Sequence, residues 1–96
     1  MKKITKAAAA AFVAKQNFSS SNTTVRANDD EAEMFLFGNK IAHITGNLLT
    51  ISNCGWQTNT TKERLNALPK VGICQKKGIW YLNGKEWDGA PYTIIL

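Results

Sequence analysis

Glu33-Met34-Phe35-Leu36-Phe37-Gly38-Asn39-Lys40-Ile41-Ala42-His43-Ile44-Thr45-Gly46-Asn47-Leu48-Leu49-Thr50-Ile51-Ser52 is the stretch that decides the fold class. Its apolar and β-branched runs are short, and the pairs Gly38-Asn39 and Gly46-Asn47 interrupt them. Turn residues between such runs mark tight hairpin connections. Glu33 to Phe37, Lys40 to Thr45 and Leu48 to Ser52 are therefore expected as consecutive antiparallel strands. A meander of this kind needs a second layer to cover its apolar face.

Upstream, Thr23 to Ala27 extends the meander to about 23–52, with Asp29-Asp30-Glu31-Ala32-Glu33 as an acidic connecting loop. Ser19-Ser20-Ser21-Asn22 reads as a further loop. The Ala-rich run before it predicts a helix over about 5–16, capped by Thr5, with Ile4 placed to staple against Ala9. Its apolar stripe, Ala8, Ala11 and Phe12, is thin, so the helix is expected to lie on a sheet. Downstream, Thr60-Thr61-Lys62-Glu63 has the form of a capping box and predicts a short helix over about 60–68, closed by Pro69. Val71 to Gln75, Ile79 to Leu82, Lys85 to Trp87 and Tyr92 to Ile95 then form a second meander over about 71–95, punctuated by Lys77-Gly78 and Asn83-Gly84. Phe35 to Lys40 and Trp80 to Lys85 read as counterparts, each a strand, a tight turn and a lysine. The expected architecture is one α+β domain spanning 1–96: a mostly antiparallel sheet of short meander strands with an N-terminal helix and a short central helix.

The composition, 44% hydrophobic and 20% charged, excludes the disordered class. The net charge of +5 combines 12 Lys and Arg with 7 Asp and Glu. Because four of the acids lie in Asp29 to Glu33, the remaining surface is basic and suits nucleic acid or an acidic protein face. Met1-Lys2-Lys3 followed by Ala7 to Ala14 imitates a secretory signal. Lys6 interrupts it, however, and Phe12 is bulky where a cleavage site wants a small residue, so an amphipathic helix is expected. No run is long enough to cross a bilayer, and no membrane association is expected. Cys54 and Cys74 have no C-x-x-C spacing and only His43 to join them, so no zinc site is expected and both thiols are read as reduced.

No nucleophile with a base, no carboxylate pair with separated environments and no metal cluster is apparent, so the chain is read as non-catalytic and without cofactors. His43 is expected to share a strand face with Ile41 and to serve the structure. Glu86 and Asp88 around Trp87 read as polar hairpin ends, and the glycines as turn glycines rather than a phosphate-binding loop. The suggestive material is aromatic and basic together. Trp56, Tyr81 and Trp87, with Lys62, Arg64, Lys76, Lys77 and Lys85, form the candidate partner-binding set. Three readings of these aromatics stay open: core, protein interface, or stacking platform for single-stranded nucleic acid. The acidic residues Asp29, Asp30, Glu31 and Glu33 form either a solvated loop or a mimic of a nucleic-acid backbone.

Ile4 to Ala7, Asn22 to Val25, Phe37 to Ala42, Gly55 to Thr58, Thr60 to Leu68, Gln75 to Gly78 and Tyr81 to Gly89 together resemble small uncharacterised tailed-phage proteins. The run Trp56-x-Thr58-x-Thr60-Thr61-x-Glu63-Arg64-Leu65-Asn66 is the most specific part. The likeness covers nearly the whole chain except the acidic segment, and it includes the N-terminal helix, which counts against a cleaved signal. It brings no established activity. It implies expression in the host cytoplasm and, by analogy, a protein that binds and modulates a host or defence component, such as an anti-CRISPR-like inhibitor. The alternative is a nucleic-acid-binding module using basic and aromatic strand residues; a small-molecule sponge or unsuspected enzyme is a third. Partner identity and oligomeric state are not readable from the sequence.

Overall fold

A computed structural model describes residues 1–96. The elements in chain order are α1 (Lys3–Ala14), β1 (Phe18–Ser20), β2 (Thr23–Ala27), β3 (Glu31–Leu36), β4 (Asn39–Thr45), β5 (Leu48–Ile51), α2 (Asn59–Asn66), β6 (Ile73–Lys76), β7 (Ile79–Leu82), β8 (Lys85–Glu86) and β9 (Tyr92–Ile95). They build two antiparallel sheets, a six-stranded one in the order β1-β2-β3-β4-β5-β9 and a three-stranded one in the order β6-β7-β8. The α+β class, the two helices and the predominance of short antiparallel strands agree with the sequence pattern.

Several boundaries differ, and three of the differences have a clear physical reason in strand pairing. The serine-rich loop is partly strand, because Phe18, Ser19 and Ser20 pair with Val25, Thr24 and Thr23 on β2. The second meander loses its last strand: β9 leaves β8 and pairs with β5, so that Ile94 meets Leu49 and is buried beside it. The first tight turn falls one residue early, at Phe37-Gly38, with Leu36 opposite Asn39.

A bulge reshapes the centre of the large sheet. Phe35 opposes Lys40 while Met34 opposes Ala42, so Ile41 has no partner on β3. Ile41 and Ala42 are consequently both buried, and His43 does not share a face with Ile41 as expected. His43 lies on the outer face, with Nε2 at 3.2 Å from Glu31 Oε2.

Helix α1 covers the inner face of β1 to β3. Thr5 is not its cap: Lys2 holds the cap position without a side-chain bond, and Thr5 is buried within the first turn. Phe12 is the large apolar residue of the stripe and is fully buried, a contribution of about 2–3 kcal/mol. Helix α2 also starts earlier than its sequence signal, since Thr58 rather than Thr60 is the cap and its Oγ1 accepts from Thr61 N at 3.2 Å. Leu65 and Leu68 face inward as expected. One apolar core joins everything, from Ala8 and Phe12 through Met34, Leu49 and Ile51 to Trp80 and Trp87, whose ring centroids are 6.2 Å apart.

Arg64 is the polar counterpart of that core. Its side chain is 3% exposed, and it donates from Nε to Thr23 Oγ1 at 3.0 Å, from Nη1 to Thr5 Oγ1 at 2.6 Å and Glu63 Oε1 at 2.9 Å, and from Nη2 to Asn22 Oδ1 at 3.3 Å. One guanidinium thus ties α2 to α1 and to the β1–β2 turn. Thr5 Oγ1 in turn donates to Glu63 Oε1. That hydroxyl, reinforced by Arg64 and more weakly by Lys2 and the N-terminus, holds the Glu63 carboxyl below its ordinary value of 4.5 against an opposing desolvation effect. A depressed carboxyl adds stability that is present above the unfolded-state pKa and lost as pH falls through the folded one. Glu63→Gln is therefore expected to be less stable than the parent at neutral pH, with the difference shrinking as pH drops below 4.5. Denaturant midpoints measured across an acid series read this directly; a pH-independent difference would contradict it.

Candidate functional site

Four two-residue turns in this protein place both central residues at positive φ: Cys54-Gly55 (53° and 82°) after β5, and three hairpin turns, where the arrangement matches strand twist and Asn-Gly or Gly-Gly satisfies it most cheaply. The hairpin turns are Phe37-Gly38 (φ 50° and 80°), Lys77-Gly78 (50° and 80°) and Asn83-Gly84 (50° and 88°). Asn83 is an ordinary choice. Phe37 is not: a bulky aromatic in the left-handed region is strained by about 1–2 kcal/mol, and this one is 71% exposed, so burial returns nothing. A residue that costs the fold stability without packing in it is a candidate for function.

Trp56 lines the same cleft as Phe37. It is 58% exposed and belongs to the segment that leaves β5. That segment is tightly held. Asn53 O accepts from Trp56 N at 2.8 Å, Asn53 Oδ1 accepts from Gly55 N at 2.8 Å, and Ser52 Oγ accepts from Cys54 N at 3.1 Å. Cys54 Sγ lies 2.9 Å from Lys40 O, which ties the segment back to β4. The cleft holds about 300 Å³ and is lined by Leu36, Phe37, Ile41 and Trp56, with Asn39, Asn53, Thr58 and Thr61 as its polar members. The bulge supplies the wall, because it turns Ile41 inward. A cleft of this size is at the low end of small-ligand pockets and matches one or two inserted apolar side chains.

The hairpin that adjoins this segment carries basic residues. Gln57 Nε2 donates to Gly78 O at 3.0 Å, so the residue after Trp56 touches the β6–β7 turn that carries Lys77, with Lys76 at the end of β6. Lys62 Nζ donates to Gln75 Oε1 at 3.0 Å and holds α2 against the same hairpin. Lys62 and the residue after Trp56 are therefore both joined to the hairpin that carries Lys76 and Lys77. The other members of the sequence-derived set take no part in these contacts. Arg64 is interior, occupied by its cross-tie. Trp87 is interior as well, its ring tilted by 38° against Trp80 and its Nε1 donating to Ala90 O at 2.9 Å. Lys85 pairs with Leu82 at the far end of β7, and Tyr81 lies between Cys74 and Glu86 on the outer face of the small sheet.

The acidic run does not form one loop. Asp29 and Asp30 occupy the turn, where Asn28 Oδ1 accepts from Asp30 N and Glu31 N. Glu31 and Glu33 are strand residues on β3, paired with His43 and, at 3.0 Å, with Lys40 Nζ. This arrangement breaks the continuous array of free carboxylates that backbone mimicry requires. No group of three or more His, Cys, Asp and Glu side chains is placed to hold a metal ion, and Cys54 and Cys74 are both free and exposed. No helix is long and apolar enough to cross a membrane.

Sequence reasoning missed Phe37 and Asn53. The signal for Phe37 was an aromatic directly before a turn glycine, but the turn was read one residue later and Phe37 was absorbed into a strand. A family model described as Kyanoviridae Gp96 protein matches residues 1–94. No curated protein and no solved structure matches the chain.

Proposed function

The chain belongs to the Kyanoviridae Gp96 protein family, a phage family with no assigned function, and from that premise we propose that it is a non-catalytic binding protein that engages and modulates a host or defence protein in the host cytoplasm. The observation that carries this reading is the exposed Phe37 ring in a strained turn position, lining an apolar cleft together with the exposed Trp56. Aromatic anchors around a pocket are the usual energetic centre of a protein interface, and a charged rim steers the encounter. Lys76 and Lys77 supply such a rim, so an acidic protein face presenting an apolar side chain is the partner that fits.

Protein is favoured over nucleic acid because stacking needs aromatic faces in sequence along one basic surface. Here Trp80 and Trp87 are buried, and Tyr81 lies on β7 while Trp56 lies in the loop before α2, so the set forms no consecutive row of exposed aromatics. An inhibitor of a defence complex is the specific form of this proposal.

The test compares the parent with Phe37→Asn and Trp56→Ala in affinity capture from infected and uninfected host lysates. Phe37→Asn is expected to raise stability by about 0.5–1 kcal/mol, because Asn tolerates the left-handed region. Both variants are expected to lose a stoichiometric protein partner that the parent retains. A nuclease-sensitive complex whose strength falls steeply with salt would favour nucleic acid instead; a partner retained equally by all three proteins would reject the cleft.

A further inference from the structure

Strand β9 forms one edge of the six-stranded sheet, and the hydrogen bonding shows which of its groups face outward. Leu96 N donates to Asn47 O at 2.7 Å, just beyond the register Leu48 to Ile95, Leu49 to Ile94, Thr50 to Thr93 and Ile51 to Tyr92. Antiparallel alternation then directs the N–H and C=O of Tyr92 and Ile94 toward β5, and those of Thr93 and Ile95 away from it. No strand lies on that side. Residues 91–96 carry no charged side chain, Ile95 is 67% exposed, and Tyr92 and Leu48 beside it are exposed too. Edges that must stay single are normally blunted by an in-strand charge, a bulge or a proline, and β9 has none. Its one guard is Lys70, held at φ 60°, whose Nζ donates to Ile95 O at 3.3 Å.

We propose that the β9 edge is a self-association surface, on which a second copy of this chain adds its own β9 antiparallel about a two-fold axis at Ile94. With the axis there, Thr93 of one copy lies opposite Ile95 of the other, and both residues present free backbone groups, so each such pair exchanges two hydrogen bonds. On the other face Ile94 meets Ile94 and Tyr92 meets Leu96. Every position from 92 to 96 therefore finds an apolar or threonine partner, and no like charges are opposed although each chain carries +5. That self-match is what selects a second copy over a foreign strand. Lys70 must release Ile95 O for the pairing to form, so it weakens the association. The contact is short, which places the dimer at about micromolar affinity or weaker.

Sedimentation velocity on the full chain over a concentration series, with amide exchange at low and high concentration, tests this. The sedimentation coefficient is expected to rise from monomer to dimer, and the Thr93 and Ile95 amides to gain protection in parallel. Ile95→Lys places a cation beside the axis in each copy and is expected to weaken association about tenfold or more. Thr93→Pro removes an outward N–H without breaking the intramolecular ladder and is expected to act in the same direction. Lys70→Ala is expected to tighten association. Denaturant midpoints confirm that each variant folds, and Phe37→Asn and Trp56→Ala are expected to leave the dimer intact, which separates this surface from the cleft. A chain that stays monomeric at millimolar concentration overturns the proposal. So does a dimer indifferent to Ile95→Lys and Lys70→Ala, protection centred away from β9, or a host strand bound at this edge in place of the second copy.

Discussion

Arg64→Ala is expected to lower the unfolding free energy by about 3 kcal/mol, a large share of what a domain of this size has. The loss comes mainly from what the guanidinium leaves behind. Thr5 and Thr23 are buried hydroxyls whose acceptor lone pairs are occupied by Arg64. Without it both are desolvated with one interaction missing, and Asn22 Oδ1 loses its long contact at 3.3 Å. Glu63 is partly exposed, so its uncompensated charge is rehydrated rather than trapped, which keeps the estimate at the lower end for a broken buried pair. Arg64→Lys is expected to recover only part of the loss, because one ammonium cannot reproduce a planar fork directed at oxygens on two other elements. Combining Arg64→Met with Thr5→Val and Thr23→Val should recover most of it, since the two buried hydroxyls are then gone and Glu63 and Asn22, both partly exposed, turn to water. Equilibrium urea unfolding of these variants decides the matter. A change in Arg64→Ala within about 0.5 kcal/mol would show that the network contributes specificity but little stability.

The same residue shows where the sequence stopped being legible. An arginine among lysines and near a tryptophan reads as surface, and nothing local indicates that Thr5, Asn22 and Thr23, far away in the chain, form a polar socket for it. Glu63 was read as closing a capping box on Thr60. The socket recruits Glu63 instead, and the cap passes to Thr58. What was legible was local: turn residues between short β-branched runs, the Ala-rich helix, and Leu65 and Leu68 as the inner face of α2. What was not legible depended on matching distant faces. β9 could sit beside β8 by order alone, and only the pairing of Ile94 with Leu49 carries it to the other sheet. The cleft was lost for a related reason, since the bulge at Ile41 changes the register by one residue and moves the turn from Gly38-Asn39 to Phe37-Gly38. The proposed counterparts Phe35 to Lys40 and Trp80 to Lys85 are both hairpins, yet their turns, Phe37-Gly38 and Asn83-Gly84, fall one place apart in that alignment.

Gly89→Ala is expected to cost about 3 kcal/mol or more and to disturb the cleft at the same time. Gly89 has φ 90°, and a Cβ built on it would lie 2.1 Å from Asn53 Nδ2, 2.2 Å from Cγ and 2.3 Å from Oδ1. All three distances are far inside contact, so exchanging the amide ends brings no relief. Asn53 is 4% exposed and has no room to swing aside, because its Oδ1 is committed to Gly55 N and its own N–H donates to Gly89 O at 3.0 Å. Ser52 Oγ donates to that same carbonyl. Gly38 supplies the control: its φ is 80° but nothing lies within 4 Å of its Cβ position, so Gly38→Ala carries only the left-handed strain of about 1 kcal/mol. The difference between the two variants in urea isolates the steric part. Asn53 also accepts from Trp56 N, so any shift that accommodates the methyl moves the segment carrying Trp56. Gly89→Ala should therefore change the iodide-quenchable emission, which comes from the exposed Trp56 and not from buried Trp80 or Trp87, under conditions where the protein is still folded, whereas Gly38→Ala should leave it unchanged. If Gly89→Ala proves stable with unaltered emission, Asn53 is not the rigid link between the end of β5 and the cleft. If both change together, a residue remote from Phe37 and Trp56 sets the distance between them.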